Sequence, residues 1–241
     1  YFRPGQNISI TFNINGIILT RPYTICSSPL RSLEDEYVII VRKKPNGFIS
    51  QYIFSNWSKG TKINASAPFG NLYYQPLRDA KSIVGICDNL GVSAFLAIAE
   101  AIADGTLNTE LTLLYSARKE REAIMSQRLD ELAENCDKIK VIYVLSDEHV
   151  FKRERGFITK TLIEKYAPQG KYSVFVSGST SLYNRAVPQI AELKLENKYI
   201  RFGLSGQIEN PSTLPDFPQD AKGLTFLCKV IKNGNLIATI P

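Results

Sequence analysis

The chain has 241 residues, of which 44% are apolar and 22% charged, and its formal net charge is +6. This length and composition are typical of a folded globular protein with one large or two ordinary domains. No run approaches the roughly 18 apolar residues of a membrane span, so none is expected. Basic residues are interspersed with acidic ones and accompany no DNA- or RNA-binding motif, which argues against nucleic acid as a partner. Short basic clusters such as Arg42-Lys43-Lys44 are interpreted as solvated helix ends and loops; the alternative is attraction for phosphate-bearing cofactors and an acidic redox protein.

Cysteine and histidine are sparse in this sequence. The cysteines lie far apart, at Cys26, Cys87, Cys136 and Cys228. They form no C-x-x-C pair, and His149 is the only histidine, which excludes a recognisable zinc site and argues against a disulfide framework. We therefore expect no bound metal, reduced thiols and a cytoplasmic protein. Because the sequence begins without methionine and inside a strand-like segment, we expect it to be a fragment of a longer chain.

Residues 1–77 alternate short β-patterned segments with turns. The predicted strands are residues 7–14, 17–25, 37–41 and 61–66. Asn15-Gly16 is a strong signal for a two-residue hairpin, and the spacing of apolar residues over 50–57 indicates one short helix. This pattern predicts a small antiparallel β-barrel as the first domain.

From about residue 81 strands alternate with helices. The predicted strands are residues 82–86, 111–115, 139–145, 172–176 and 199–202, and the predicted helices are 92–103, 120–134, 158–166 and 183–195. Such alternation predicts right-handed crossovers and a parallel sheet covered on both faces, forming an α/β domain over residues 78–205. Ligands of such sheets collect at the carboxyl ends of the strands, so we look for chemistry after Ile86, Tyr115 and Val176.

The end of the chain has a different character. Residues 206–223 are rich in Pro, Gly and Asp without periodicity and are interpreted as a linker. Residues 224–230 and 235–240, joined by Asn233-Gly234, predict one more β-hairpin. We assign residues 224–241 to the start of a further, truncated domain.

One strand carries an unusual combination of side chains, Arg21-Pro22-Tyr23-Thr24. Side chains alternate along a strand, so Arg21 and Tyr23 are expected on one face. A cation beside a phenol suits a ligand that is part phosphate and part flat ring, since Arg binds phosphate oxygens in a fork and Tyr can lie on a ring. The alternative is an ordinary strand with a surface Arg and a packed Tyr.

Three further segments accompany this one. They are Phe2-Arg3-Pro4-Gly5-Gln6, Gly47-Phe48-Ile49-Ser50 and Ala67-Pro68-Phe69-Gly70-Asn71-Leu72. In order and spacing the four segments resemble the Arg-x-Tyr-Ser/Thr flavin signature, the Gly-x-x-Ser phosphate turn and the flanking motifs of the ferredoxin–NADP reductase superfamily. The resemblance extends over nearly the whole chain and implies a flavin-binding β-barrel followed by an α/β parallel-sheet nucleotide-binding domain.

The resemblance implies an FAD site in the first domain. The matching positions are Arg21, Pro22, Tyr23, Thr24, Gly47, Ile49 and Ser50. Arg21 would neutralise the pyrophosphate, Tyr23 would stack on the isoalloxazine, and Thr24 would hydrogen-bond near its N5, the atom that exchanges hydride. Gly47 permits a close backbone approach to phosphate, and Ser50 with the amides of the short helix would donate hydrogen bonds to it.

On the nucleotide side the sequence departs from the family at the glycine-rich turn. Gly91, Val92 and Ser93 match the end of that turn, but Asp88 and Asn89 replace its paired glycines. A carboxylate beside a pyrophosphate weakens binding through like-charge repulsion. Alternatively, Asp88 simply caps the following helix.

Two later segments complete the nucleotide site that the resemblance implies. Ser177-Gly178-Ser179 replaces the family's Cys-Gly-Pro near the contact between nicotinamide and flavin, with Ser177 in place of the thiol. Alternatively, Ser179 or Thr180 only caps a helix. Ser116 and Arg118 match positions that bind the adenosine end in relatives, where Arg118 could contact a 2′-phosphate. NADH and NADPH both stay open.

The resemblance implies electron transfer from NADH or NADPH through FAD to an iron–sulfur centre or electron-carrier protein, with Thr24 and Ser177 in catalytic positions. In fused relatives a plant-type ferredoxin domain begins where residues 224–241 stand, so a [2Fe-2S] cluster is expected beyond the sequence. A flavin relay that has lost efficient NAD(P)H binding and a non-catalytic interaction scaffold are the alternatives.

Overall fold

The structure, a computed structural model, describes residues 1–34, 36–203, 225–231 and 236–239. An antiparallel region precedes an α/β region, which confirms the expected fold class. The predicted linker over residues 206–223 lies outside the described residues. Among the described residues no helix is both long and apolar enough to cross a membrane.

The antiparallel region contains two three-stranded sheets. The first part of the chain contributes β1 (Asn7–Ile14), β2 (Ile17–Thr24), β3 (Glu36–Arg42), α1 (Phe48–Asn56) and β4 (Asn64–Ala65). Two strands near the end of the chain complete the second sheet. The order β2-β1-β4 forms one sheet, and an antiparallel bridge from Ile25 to Ile39 joins it to β3. Asn15 and Gly16 both have positive φ, at 52° and 85°, as the predicted two-residue hairpin turn requires.

The core of this region follows from the alternation along β1. Ile8, Ile10 and Phe12 are buried while the residues between them are partly exposed. These side chains pack with Ile39 of β3 and Ile53 of α1 in one apolar cluster. The period of two in the sequence therefore places one face of β1 in the core.

The α/β region is built on one six-stranded parallel sheet. Its strands are β5 (Ser82–Asp88), β6 (Glu110–Ala117), β7 (Ile139–Leu145), β8 (Glu154–Arg155), β9 (Tyr172–Ser177) and β10 (Ile200–Phe202). The order is β10-β9-β5-β6-β7-β8, and every neighbouring pair is parallel. The helices are α2 (Val92–Ala103), α3 (Ser126–Asn135), α4 (Lys160–Tyr166) and α5 (Thr180–Ala191). This arrangement confirms the predicted parallel-sheet domain.

Helix α2 packs closely on the centre of this sheet. A β-carbon at Gly85 of β5 would lie 2.6 Å from the ring of Phe95, which is fully buried. Because Gly85 has no side chain, the Phe95 ring can lie directly against the backbone of β5. The first turn of α2 is thereby held at the carboxyl end of β5.

The single helix predicted over residues 120–134 is wrong. A 3-10 turn spans Glu120–Glu122, Met125 has a φ of 59°, and α3 begins only at Ser126. The amide of Glu120 donates to Glu148 (2.8 Å), so a contact with a distant loop replaces the helical hydrogen bonding that the local pattern suggests. Helix α5 is also displaced from the predicted 183–195, because Ser179 caps it at its N-terminus.

The final strands extend the antiparallel region. They are β11 (Thr225–Ile231) and β12 (Leu236–Thr239), which pair with each other as an antiparallel hairpin. β11 also pairs with β3, with Thr225 opposite Arg42 and Ile231 opposite Glu36.

Apolar and polar contacts join the two regions. Cys26, Val38 and Leu72 belong to the same buried cluster as the residues of α2. Arg42 Nη1 donates to Asn89 Oδ1 at 3.0 Å, which connects the end of β3 to the turn after β5. The expected flavin and nucleotide segments therefore face a common boundary.

Candidate functional site

The strand pairing places Arg21 and Tyr23 on one face of β2. Tyr23 lies opposite Ile8, and Arg21 lies opposite Ile10. Directly opposed residues in an antiparallel pair project to the same side, which here is the side of the buried isoleucines. Tyr23 is half-buried against the core, whereas Arg21 is exposed, with Nη1 on the carbonyl oxygen of Thr20 at 2.8 Å. A cation and a phenol thus line one edge of the region, as predicted.

Thr24 and Pro22 occupy different environments on the same strand. The Thr24 hydroxyl donates to Asn7 Oδ1 at 2.8 Å, and Asn7 is buried. A β-carbon at Gly70 would lie 2.7 Å from Asn7 Nδ2, so the Gly70 turn closes over this pair. Pro22 is exposed. The Thr24 side chain is therefore held in place by the motif around Gly70.

The phosphate turn forms the N-terminus of α1. The N-cap residue is Gly47, which has no side chain to accept a hydrogen bond from the backbone amides of the first turn, so no side chain caps these amides. The Ser50 hydroxyl donates to the Gly47 carbonyl oxygen and accepts from the Lys44 amide, both at 3.0 Å. A β-carbon at Gly47 would lie 2.5 Å from Ser50 Oγ, and Ile49 is buried in the core. Ser50 and Ile49 thus shape the turn, whereas the backbone amides in the first turn of α1 are left available to a ligand.

Sequence reasoning interpreted the cations before this turn as solvated loop residues. Lys44 is exposed at its surface, but partial desolvation of its ammonium group, followed by the charge of Arg42, lowers its pKa. Of these cations Lys44 contacts the turn through its amide, and a cation beside a helix N-terminus favours an anion because its charge and the helix dipole act in the same direction. The signal in the sequence was the run Arg42-Lys43-Lys44 directly before the Gly-x-x-Ser turn. This donor set fits the pyrophosphate of FAD.

The nucleotide-side residues meet at the carboxyl edge of the parallel sheet. In the strand register Cys87 lies beside Ser177, and Asp88 lies beside Ser116. The predicted segments after β5, β6 and β9 are therefore neighbours. Burial raises the pKa of the Cys87 thiol well above its ordinary value, which makes it a packed, protonated side chain.

The Asp88 carboxylate does not cap the helix that follows it. It accepts hydrogen bonds from the amide of Ser179 at 2.6 Å and from the Ser179 hydroxyl at 2.5 Å. Ser179 is in turn the N-cap of α5 and accepts from the Leu182 amide at 3.2 Å. The N-cap of helix α2 is Gly91, and no side chain caps this helix. The expectation that Asp88 caps its own helix is wrong, because its carboxylate is bound to the neighbouring one.

Glycines allow the two loops at this edge to touch. A β-carbon at Gly91 would lie 2.0 Å from the Ser177 carbonyl oxygen, and one at Gly178 would lie 2.2 Å from Asp88 Oδ1. Val92 and Ser93 are buried, so they anchor α2 and do not face a ligand. The two motif glycines are required for packing between loops.

Ser177 lies at the boundary between the two regions. It is only 6% exposed. A β-carbon at Gly203 would lie 3.0 Å from Ser177 Oγ and 3.2 Å from Leu72 Cδ2. The Ser177 hydroxyl is thus close to the segment where the antiparallel region ends.

Arg118 and Ser116 occupy the end of β6. Ser116 is buried, and Arg118 Nε contacts Asp147 Oδ2 at 2.7 Å in a half-exposed ion pair. Hydrogen bonds from Ser146 and Arg118 lower the pKa of Asp147. The charge of Arg118 is therefore partly neutralised by Asp147, and a 2′-phosphate at Arg118 would also be repelled by this carboxylate.

Metal and thiol chemistry find little support in the part of the chain that the structure describes. There, no three His, Cys, Asp or Glu side chains converge to hold a metal ion. Cys87 and Cys136 are free thiols.

Comparison with known families matches both regions. An oxidoreductase FAD-binding domain family matches residues 1–74, and an oxidoreductase NAD-binding domain family matches residues 86–187. The reductase subunit of glycine betaine monooxygenase from Pseudomonas aeruginosa is 24% identical over 197 residues, 80% of this chain and 52% of that protein. NADH-cytochrome b5 reductase 1 from Mortierella alpina is 32% identical over 168 residues, 68% of this chain and 54% of that protein. The chain spans about half the length of these curated relatives.

Solved structures agree on the fold. The cytochrome b5 reductase domain of Ulva prolifera nitrate reductase superposes with a TM-score of 0.70 at 18% identity, covering 83% of this chain and 85% of that one. A ferredoxin–NADP⁺ reductase from Neisseria gonorrhoeae gives a TM-score of 0.66 at 17% identity, covering 83% and 86%. The chain therefore consists of an oxidoreductase FAD-binding domain and an oxidoreductase NAD-binding domain in the ferredoxin–NADP reductase-like fold.

Proposed function

We propose that this chain is an NAD(P)H-dependent flavin reductase module that passes electrons to an iron–sulfur centre or an electron-carrier protein. Bound FAD would accept a hydride, with its two electrons, from the nicotinamide and release them singly to the acceptor. The observation that carries this proposal is the common boundary. Arg42 on the flavin side donates a hydrogen bond to Asn89 on the nucleotide side, and the side chains of Ser177 and Leu72 both lie close to Gly203.

Separate groups would hold the two ends of FAD. Arg21 and Lys44, with the amides of α1, would neutralise the pyrophosphate. Tyr23 would stack on the isoalloxazine. Its neighbour Thr24, fixed by Asn7, would present its hydroxyl oxygen towards N5.

The pyridine nucleotide would lie along the carboxyl edge of the parallel sheet. Because the Asp88 carboxylate is bound by Ser179, it leaves the N-terminus of α2 at Gly91 without a side-chain cap, and a pyrophosphate can be placed there. Gly178 would let the dinucleotide approach the backbone, and Ser177 would support the nicotinamide at the flavin. Ser116 and Arg118 would contact the adenosine end. Hydride transfer depends on alignment, which explains why no acid–base triad is needed.

Flavin content and flavin reduction test this proposal. The purified chain is expected to contain FAD, identified after denaturation and distinguished from FMN, and to lose flavin absorbance when mixed rapidly with NADH or NADPH. Arg21→Ala is expected to weaken FAD binding, whereas Arg121→Ala, an exposed arginine in the NAD-binding region, leaves it unchanged. A chain that binds no flavin in excess FAD would refute the proposal.

We also propose a redox protein or a ferredoxin-type domain as the acceptor. The sequence resemblance supports residues 1–77 as the FAD-binding part, residues 78–205 as the nucleotide-binding part and residues 206–223 as a linker. It also supports a [2Fe-2S] domain from residue 224 onwards, but the pairing of β11 with β3 speaks against a separate domain that begins there. The names of relatives, which include a monooxygenase reductase subunit and cytochrome b5 reductases, support electron delivery to a protein. Free thiols support a cytoplasmic location. A longer chain containing the residues after 241 would show the electron paramagnetic resonance signal of a reduced cluster.

A second candidate is a flavin relay that receives its electrons from another protein. The replacement of the paired glycines by Asp88 and Asn89, with a buried carboxylate near the dinucleotide site, favours it. Prompt bleaching of the flavin by NADH or NADPH would eliminate this candidate, and bleaching only by a reduced protein donor would favour it.

A further inference from the structure

The contact between the buried carboxylate of Asp88 and Ser179 does more than leave the N-terminus of α2 without a side-chain cap. Asp88 is 8% exposed at the carboxyl end of β5. It accepts hydrogen bonds from the amide and the hydroxyl of Ser179, which follows β9. These bonds connect the ends of the neighbouring strands β5 and β9. Burial raises the pKa of this carboxyl, against the opposing effect of the hydrogen bonds and of Arg185. Keeping a carboxylate in such a place is costly unless its partners compensate for it.

The surrounding backbone is shaped for the same contact. Gly91 brings the turn after β5 against the Ser177 carbonyl oxygen, and Gly178 leaves space for the Asp88 carboxylate. A side chain at either glycine would separate the two loops. Three features on two different loops therefore serve one interface.

The loop that Asp88 holds lies where the two cofactor sites meet. Ser177 ends β9, and residues 178–179 follow it; the side chains of Ser177 and Leu72 both lie close to Gly203. A shift of this loop would change the space between the flavin-binding and nucleotide-binding regions. Small displacements of reacting groups have large effects on rate.

We propose that Asp88 is a positioning residue, which holds the 177–179 loop against the turn after β5 and so sets the place where the nicotinamide meets the flavin. This inference rests on the proposed function. This role does not require Asp88 to contact either cofactor. It acts through the Ser179 amide and hydroxyl, which it keeps at one position relative to β5.

Two measurements on the FAD-loaded chain test this role. In the first, hydrogen exchange of the Ser179 amide is expected to accelerate roughly tenfold or more in Asp88→Ala, because its buried acceptor is lost. In the second, the limiting rate of flavin reduction at saturating NADH or NADPH is expected to fall roughly tenfold, with a smaller change in the nucleotide dissociation constant. A purely structural loss would lower flavin content instead.

Matched variants make the result decisive. Asp130 lies on α3, and its carboxylate accepts a hydrogen bond from the Tyr143 hydroxyl at 2.8 Å. Asp130→Asn removes this carboxylate and is expected to change neither the exchange of the Ser179 amide nor the rate of flavin reduction. Asp88→Asn keeps an acceptor for the Ser179 amide and is expected to restore most of the rate. If Asp88→Ala does not fold, Asp88→Asn alone is compared with the wild type, with exchange roughly threefold faster expected because a neutral acceptor is weaker.

The outcomes separate this inference from the proposed function. Unchanged exchange at Ser179, or an unchanged limiting rate in a variant with faster exchange, would overturn the positioning role. A wild-type flavin that neither nucleotide reduces would refute the proposed function and, with it, a role in nicotinamide placement. Faster exchange together with a slower limiting rate supports both.

Discussion

The substitution Asp79→Asn is predicted to destabilise the NAD-binding domain strongly. The Asp79 side chain is fully buried, and its carboxylate contacts Arg78 Nη2 at 2.8 Å and Arg201 Nη2 at 3.1 Å. It also accepts from the Gln75 amide at 2.8 Å. Arg201 is mostly buried, its Nε has no hydrogen-bond partner, and burial lowers its pKa. Asp79 is thus the counter-charge for two guanidinium groups at the start of the domain.

The magnitude follows from the burial of these groups. Removing one partner of a buried ion pair costs about 3–5 kcal/mol, because the remaining charge stays desolvated. Asparagine keeps the shape and one acceptor, so we expect the lower end, about 3 kcal/mol. For a domain of this size that corresponds to a fall in Tm of roughly 10 °C.

Unfolding in urea, followed by far-ultraviolet circular dichroism, reports this change. Of the five α-helices in the described residues, four lie in the α/β region. The only tryptophan of the sequence, Trp57, lies in the antiparallel region, so fluorescence follows that region instead. Asp147→Asn, in an exposed pair with Arg118, is the matched control and is expected to leave the midpoint unchanged. If Asp79→Asn and Asp147→Asn unfold at the same urea concentration, the buried network does not stabilise the domain.

Three further outcomes are expected. Arg21→Ala should weaken FAD binding roughly tenfold or more, measured by flavin fluorescence, since a charge-assisted contact to phosphate is lost. Gly91→Ala should lower the free energy of unfolding by about 1–3 kcal/mol, measured in urea, because its β-carbon would lie 2.0 Å from the Ser177 carbonyl oxygen. Burial raises the pKa of Asp88, so the folded state binds this proton more tightly than the unfolded state does. As the pH rises from about 4, the wild type should therefore lose stability relative to Asp88→Asn. Parallel profiles of stability against pH for the two proteins would contradict this.

The element pattern was largely readable from the sequence. The strands at residues 7–14 and 139–145 and the helix at 92–103 have the predicted bounds, because alternation or helical spacing of apolar residues runs through each of them. The pairing of Arg21 and Tyr23 on one face follows from the period of a strand alone. The broken helix before Ser126 was missed because Glu120 is bonded to Glu148, a residue that no local pattern identifies.

The candidate site divides in the same way. The motif glycines Gly47, Gly91 and Gly178 were found, but the sequence could not tell a glycine that admits a ligand from one that admits another loop. Lys44 and Arg42 were interpreted as solvated loop cations, because the contacts of Lys44 with the Ser50 turn and of Arg42 with Asn89 depend on how β3 ends.

The order of residues along this chain determined its two-part architecture and the flavin signature, because both arise from local periodicity and short motifs. Only the tertiary structure decided where the side chains at the nucleotide edge are directed. Asp88 and Ser179 are distant along the chain but adjacent across two parallel strands, and their hydrogen bonds turn the carboxylate away from the helix that it precedes. Contacts between parallel strands depend on sheet order, and no local spacing encodes that order.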